Sequence, residues 1–460
     1  MTHRNALERM GTYCAVAGAL AVSAGPGRLL AQEMGGTEQA VGAAAEPVDS
    51  LVAIALQVNP TLRAAERAID AARARIGPAG APPDPMVGVG IMNFPMSEPG
   101  FGDFMTMTTI GVAQRLPFPG KLDLRRRAAE LELRAAQARQ EAARLDIETD
   151  VRIAWYELAF LERSLEVVED NQALLVDLVG VTESRYGVGT GGQQDVLKAR
   201  VETALLAEQA VALVEARRAA LARLNALLDR PSATPVERPR IPERVARAAV
   251  SASPAEIRFT SAALGARAAD SPLPPLEELE ERAIAGNPWL RAHEAEIAAH
   301  EVRVELAGRA HLPDFDLSLQ YGQRMDRADM VSVMVSVPVP VNRGDRQDQE
   351  VAEAHAELAA MQAGHHEMVN ELRATVAEHY ARLERDRAQL ALFVRSIVPQ
   401  GRAALESATA AFQVGRADFM TVVENQATLY DYEIAYFRTL TDFAKGLAEL
   451  ERVVGAEVLP

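Results

Sequence analysis

The chain has 460 residues, with 48 Lys and Arg against 64 Asp and Glu, so its formal net charge is −16. Hydrophobic residues make up 48 % and aromatic residues only 5 %. Long stretches drawn from Ala, Leu, Glu and Arg point to long helices rather than to several globular domains. The acidity argues against a nucleic-acid partner. One cysteine excludes a disulfide framework and a Cys-based zinc site, and no apolar run reaches the roughly 18 residues of a membrane-spanning helix.

Residues 1–31 read as an export signal: Arg4 and Arg9 precede an apolar run from Tyr13 to Ala24, with small residues suited to cleavage after Ala24 or Ala31. Cys14 falls inside this segment, leaving no thiol in the exported chain. Tyr13, where a lipidated chain carries a small residue, argues against lipidation.

The remainder repeats once. Asn59-Pro60-Thr61-Leu62 returns as Asn287-Pro288-Trp289-Leu290, Pro83-Asp84 as Pro313-Asp314, Leu116-Pro117-Phe118-Pro119 as Val337-Pro338-Val339-Pro340, and Tyr186-Gly187-Val188-Gly189 as Phe412-Gln413-Val414-Gly415. Four landmarks in one order at nearly constant spacing mark an internal duplication. It divides the chain into a first repeat at 48–229, a Pro-rich connector at 230–274 expected to pack irregularly outside the repeats, and a second repeat at 275–455.

Each repeat is expected to open with a helix. In the first, Asp49 or Ser50 would cap it, Leu51, Ile54, Leu56 and Val58 would lie along it, and the pattern would resume from Leu62 to Ile76 until Gly77-Pro78 and Pro82-Pro83 stop it. Two strands come next. In the second repeat Phe315, Leu317, Leu319 and Tyr321 alternate with Asp316, Ser318, Gln320 and Gly322, and Val331, Val333, Val335 and Val337 alternate with Met330, Ser332, Met334 and Ser336. In the first, Val87, Val89 and Ile91 pair with Thr106, Thr108, Ile110 and Val112 across a loop from Asn93 to Met105. Period two with one apolar face marks strands with one side away from water, of the length that crosses a bilayer when tilted. An amphipathic hairpin on a soluble core would show the same alternation; the export signal and the long helical stretches beyond the strands favour a membrane wall.

A long helix then runs from Pro119 to Tyr186, about 100 Å at 1.5 Å per residue. Its counterpart from Gly344 to Phe412 is interrupted at Gly364, Pro399 and Gly401. Each turns at glycines and returns, through Asp195 to Asp229 or Asp418 to Val454. Such helices need other helices to cover them. Four strands cannot close a barrel, the smallest of which use eight, and open strand edges cannot sit in lipid. Several chains must therefore share one barrel; three would supply twelve strands. The product is a conduit rather than a catalyst, and no nucleophile elbow, phosphate loop or paired acid/base signature is found.

The doubled Asn-Pro-x-Leu helix start, the strand–Pro-x-Pro–helix junctions, and the turn Tyr186 to Leu197 with its degenerate copy Phe412 to Val423 give the chain a clear likeness. It resembles the outer-membrane efflux protein (TolC) family over essentially the whole exported length. The junction Gln114-Arg115-Leu116-Pro117-Phe118-Pro119-Gly120-Lys121-Leu122 resembles the heavy-metal cation branch. The resemblance implies a mainly α fold with a small transmembrane β part, namely four strands and long α-helical hairpins per protomer. It further implies a homotrimer with a 12-stranded β-barrel in the outer membrane, and an α-helical barrel in the periplasm. The implied role is the exit duct of a tripartite efflux system, passing metal cations or drugs, docked to a periplasmic adaptor and an inner-membrane RND-type pump. The outer-membrane part of a type I protein secretion system fits the same layout. A periplasmic adaptor would need lipoyl-like regions around one hairpin, and a filamentous coiled coil would lack the strands.

Within that frame Asp195, Lys198, Thr421 and Glu424 are the candidate gate at the periplasmic tip. Glu424 would form a ring of three carboxylates in a trimer, or be an ordinary solvated charge; Asp195 and Lys198 would make inter-helix ion pairs. Family members often carry a carboxylate where Thr421 stands. Tyr186, Gly187, Gly189, Phe412, Gly415 and Asp418 build the tip turns, with Tyr186 and Phe412 as packing residues. Asp316, Ser318, Gln320, Ser332 and Ser336 are expected to face the lumen. Met86, Met92, Met96, Met105 and Met107, with Met325, Met330 and Met334, cluster near the strands; thioethers suit Cu(I), and flexible apolar filling of a barrel wall explains them more simply. His293 and His300, seven apart, and His365-His366 read as solvated residues. No cofactor and no resident metal site is expected.

Overall fold

The computed structural model describes residues 47–96, 101–250 and 273–459. The expected export signal and residues 251–272 of the connector lie outside them. The described chain opens with α1 (Pro47–Val58) and α2 (Pro60–Gly80), followed by β1 (Met86–Met92) and β2 (Met107–Leu116). Next come α3 (Lys121–Gly187), α4 (Gln193–Leu227) and the short α5 (Glu243–Val250). The series then recurs as α6 (Leu276–Gly286), α7 (Pro288–Gly308), β3 (Phe315–Gln323) and β4 (Met330–Ser336). It ends with α8 (Gln347–Leu392), a π-turn over Phe393–Ile397, α9 (Val398–Gln413) and α10 (Phe419–Val454).

The repeated Asn-Pro pair is one structural device used twice. Asn59 accepts a hydrogen bond from the Thr61 N–H at 2.9 Å and so caps α2, while its side-chain amide donates to the Leu227 carbonyl of α4 at 3.0 Å. Asn287 caps α7 through Trp289 N–H at 2.9 Å and donates to the Val453 carbonyl of α10 at 3.1 Å. The following proline lacks only an N–H that the first turn leaves unpaired anyway. One buried amide thus closes the start of each repeat onto its end.

Four sequence expectations shift. Neither Asp49 nor Ser50 caps α1, which already begins at Pro47; the Ser50 hydroxyl instead donates to the Pro47 carbonyl at 2.7 Å. Helix α2 runs through Gly77-Pro78 to Gly80. The carbonyl that Pro78 leaves without a helical partner belongs to Ala74, which is exposed to solvent. Gly364 does not interrupt α8, because a single glycine costs about 1 kcal/mol, which a 46-residue helix absorbs. The break falls instead at the π-turn just before Pro399, where a widened turn accommodates the proline ring. Gly401 lies inside α9, where an added Cβ would come within 3.3 Å of the Leu429 and Tyr432 side chains of α10.

The described stretch of the connector up to Val250 does not pack outside the repeats. Val245, Ala248 and Ala249 of α5 are buried in the main core with Trp155 and Leu158 of α3, Leu383 and Leu390 of α8, and Phe443 and Leu447 of α10. The Trp155 indole N–H donates to the Arg240 carbonyl at 2.8 Å, and Arg387 donates to the Ala248 carbonyl.

The four strands form one antiparallel sheet in the order β1-β2-β3-β4, so β2 and β3 join the two repeats. Thr106 lies just before β2 rather than in it: its hydroxyl donates to the Asn93 carbonyl at 2.9 Å and closes the β1–β2 loop. Among the described residues no helix is long and apolar enough to cross a membrane.

Candidate functional site: the sheet wall and the hairpin tips

Registration across the sheet sorts its side chains into two faces. Val87 stands opposite Val112, Val112 opposite Leu319, and Leu319 opposite Val333. The next row is Val89, Ile110, Tyr321 and Val331. This branched apolar face is uncovered: Val89 is 74 % exposed, Val333 68 % and Leu319 52 %. On the other face Asp316 pairs with Ser336 and Gln320 with Ser332, with Ser318 between them on β3. Asp316, Ser318 and Gln320 are half-buried, so the β3 residues on the polar side are the more covered ones. A water-soluble protein would bury the valines and expose the serines. This sheet leaves the valines exposed while its β3 polar residues are the more covered, and among the described residues nothing pairs with the outer edges of β1 and β4.

Between the sheet and the long helices lies an ionic joint that sequence reading missed. Asp314, just before β3, accepts from the Lys121 ammonium at 2.9 Å and from the Phe118 N–H at 3.0 Å. Lys121 also donates to the Leu312 carbonyl at 2.7 Å, and Arg115 pairs with Asp316 at 2.9 Å. Burial pushes the Asp314 carboxyl up, but Lys121 and the Phe118 N–H outweigh burial and hold it below the usual carboxylate range. Gly120 adopts φ +88° with the Arg309 guanidinium where a Cβ would stand, and Arg309 donates to the Pro119 carbonyl at 3.1 Å. The Pro-Phe-Pro-Gly-Lys segment is thus the seam where the first repeat's helix is locked to the second repeat's strand.

The helical hairpins α3–α4 and α9–α10 end in matching turns. Gly189 (φ +77°) donates to the Tyr186 carbonyl at 3.0 Å, and Gly415 (φ +72°) to the Phe412 carbonyl at 3.0 Å. Phe412 is buried against Phe419 with ring centroids 5.9 Å apart, in a cluster with Leu175, Leu178, Ala199 and Val422. Tyr186, expected to pack likewise, is half exposed instead; its turn has no counterpart of Phe419 to cover it. The joining residue is Arg185, whose guanidinium lies over the Phe412 ring and donates to its carbonyl at 3.0 Å. Its position one residue before the turn tyrosine gave no signal.

The candidate gate residues all sit at these tips. Asp418 caps α10, accepting from the Thr421 N–H at 2.9 Å and hydroxyl at 2.7 Å, and the hydroxyl followed by the N–H draws its pKa below normal. Thr421 and Glu424 are exposed one turn apart on α10. Asp195 is half-buried in the first turn of α4 and Lys198 is exposed. Ion pairs along these hairpins include Arg200–Glu183 at 2.7 Å between α4 and α3, and Arg402–Glu433 at 2.7 Å between α9 and α10.

His366 is exposed as expected, but His293, His300 and His365 are half-buried. His293 of α7 stacks on His365 of α8 with centroids 5.6 Å apart; burial and then the neighbouring ring lower its pKa. His300 is half-buried and lies 3.0 Å from Arg303 Nη1. Among the described residues no group of three or more His, Cys, Asp or Glu side chains could hold a metal ion.

An outward-facing apolar sheet carried on long helical hairpins is the protomer of an outer-membrane channel. The family model described as "Outer membrane efflux protein" matches the chain twice, over residues 51–230 and 279–456, and the chain belongs to that family. It is an exit duct for efflux in the outer membrane. The chain is 24 % identical over 345 residues to the cobalt-zinc-cadmium resistance protein CzcC of Cupriavidus metallidurans, covering 73 % of this chain and 74 % of that one. Its fold is similar to that of the outer-membrane channel OprN (TM-score 0.72, 19 % identity, 90 % of this chain and 91 % of that one). It is also similar to the outer membrane protein VceC of Vibrio cholerae (TM-score 0.70, 21 % identity, 89 % and 96 %).

Proposed function

We propose that three copies of this chain close a 12-stranded barrel, their valine-rich faces toward lipid and their Ser- and Gln-bearing faces toward water. The long hairpins continue that passage as a helical tunnel. The carrying observation is the sheet itself: an exposed apolar face together with β1 and β4 edges that no described residue pairs. Lipid does not tolerate unpaired backbone groups, and sister strands supply the missing partners.

The duct works with a periplasmic adaptor and an inner-membrane RND-type pump, and passes metal cations that the pump delivers. Likeness to CzcC supports a metal as cargo. The chain itself supplies no reaction; it provides a passage and a gate. Asp195, Lys198, Thr421 and Glu424 form that gate, with Glu424 contributing one carboxylate per protomer to a ring that favours cations. Conductance in planar bilayers tests this. Glu424→Gln is expected to lower cation over anion selectivity while leaving trimer mobility unchanged. Unaltered selectivity removes Glu424 from the gate, and a protein extracted as a water-soluble monomer contradicts the channel.

A further inference from the structure

Every methionine in the four strands lies on one face. Met86 and Met92 on β1, Met107 on β2, and Met330 and Met334 on β4 fall out of register with Val87, Ile110, Leu319 and Val333, and in register with Gly111, Ser318, Gln320 and Ser332. The branched apolar residues take the other face without a single thioether. If methionine served as apolar filling, the lipid-facing side would be its place. On the water-lined side Met86, Met92, Met330 and Met334 leave their apolar area exposed, at a cost that Ser or Gln would avoid.

The upper group is the tightest. Met92 stands directly opposite Met107, and Gly322 directly opposite Met330. Met107 leans across from β2 so that its Sδ lies 2.6 Å from where a Cβ on Gly322 would be, and it is only 8 % exposed. Gly322 thereby makes room for a thioether to reach over β3 toward Met330. Two rows further down, Met86, Ala113, Ser318 and Met334 form a second row with a thioether at each end.

From this placement, which rests on the channel reading above, we infer that the polar face of the sheet is a thioether-lined passage for soft d10 cations of the Cu(I) and Ag(I) class. Neutral thioethers ligate soft ions and do not satisfy hard ones. Without thiolate charge they hold the ion weakly, and successive weak sites are what conduction requires. Met92, Met107 and Met330 form the upper station of each protomer, and Met86 and Met334 the lower one.

The test is calorimetric titration of the detergent-solubilised full-length protein with silver nitrate in chloride-free buffer, alongside potassium conductance in planar bilayers. The wild type is expected to bind Ag+. The double variant Met107→Leu/Met330→Leu, which preserves side-chain volume, is expected to bind it at least tenfold more weakly, with potassium conductance and Zn2+ titration unchanged. Gly322→Ala, which displaces Met107, is expected to weaken Ag+ binding in the same direction. Equal Ag+ affinity in the wild type and the double variant overturns the thioether passage while leaving the duct intact. A wild type that inserts and carries no potassium current overturns the channel reading, and the passage with it.

Discussion

The Arg185 guanidinium lies 4.6 Å from the centroid of the Phe412 ring and donates to the Phe412 carbonyl at 3.0 Å. One side chain thereby fastens the tip of the α3–α4 hairpin to the tip of the α9–α10 hairpin. The two turns are repeat copies, yet only the first carries the arginine; Ala411 precedes Phe412. Arg185→Ala removes a cation–π contact and a charged hydrogen bond, together about 1–2 kcal/mol. Amide exchange across 414–418 is expected to accelerate about 5–30-fold. Exchange unchanged in that turn would show that the tips are held by other contacts.

Glu157 of α3 sits between two cations of α10: Arg438 at 3.1 Å, and Lys445, which donates to the same carboxylate. Burial pushes this carboxyl up, but Lys445 and then Arg438 prevail and hold it below its ordinary value of 4.5. A lowered carboxyl stabilises the fold above its ordinary pKa, and that contribution fades as pH falls through the folded value. Thermal dissociation of the wild type is therefore expected to worsen below about pH 4.5. Glu157→Gln is expected to be less stable at neutral pH by about 2 kcal/mol and less sensitive to acid. Parallel pH profiles for the two proteins would remove Glu157 from the acid response.

Trp155 is 1 % exposed and bonds the connector at Arg240. Trp155→Phe loses that bond between α3 and the connector, a loss of about 1 kcal/mol. Proteolysis within 230–250 is expected to speed up in the variant. An unchanged cleavage rate would mean that the connector docks without it.

The duplication, the strand faces and the helix lengths were legible because each is a periodicity: one offset, one alternation of two, one long stretch free of proline. The family resemblance came from landmarks in order. Contacts between distant positions could not be read. Nothing near Lys121 announces Asp314, and nothing near Arg185 announces Phe412, since each pair forms only when the two repeats pack. The connector misled for a related reason: seven prolines spoke against helix, while the apolar stripe Val245, Ala248 and Ala249 was too short to stand out. The Asn-Pro motif was visible as a helix start, but the second task of the asparagine, reaching the last turn of its own repeat, was not. Asn287→Ala is accordingly expected to cost more than a surface cap, about 2–3 kcal/mol, seen as a lower dissociation temperature; a loss below 1 kcal/mol would reduce it to an ordinary cap.

Faces of the sheet also set what charge does there. Val333→Arg places a cation on the apolar side and is expected to destabilise the membrane-inserted protein by about 2–4 kcal/mol. Ser332→Arg, one residue away on the polar side, is expected to fold normally and to shift ion selectivity toward anions. Equal effects of the two substitutions on folding would contradict the assignment of faces.

Site-directed spin labelling along β4 tests the exposed apolar face most directly. With single cysteines introduced into the exported chain, labels at positions 331, 333 and 335 of the reconstituted protein are expected to meet lipid-dissolved oxygen. Labels at 330, 332 and 334 are expected to meet a water-soluble nickel relaxant, giving a strict alternation of two. Uniform access of the nickel reagent to all six positions would mean that the valine face borders water, and no barrel wall would remain to share.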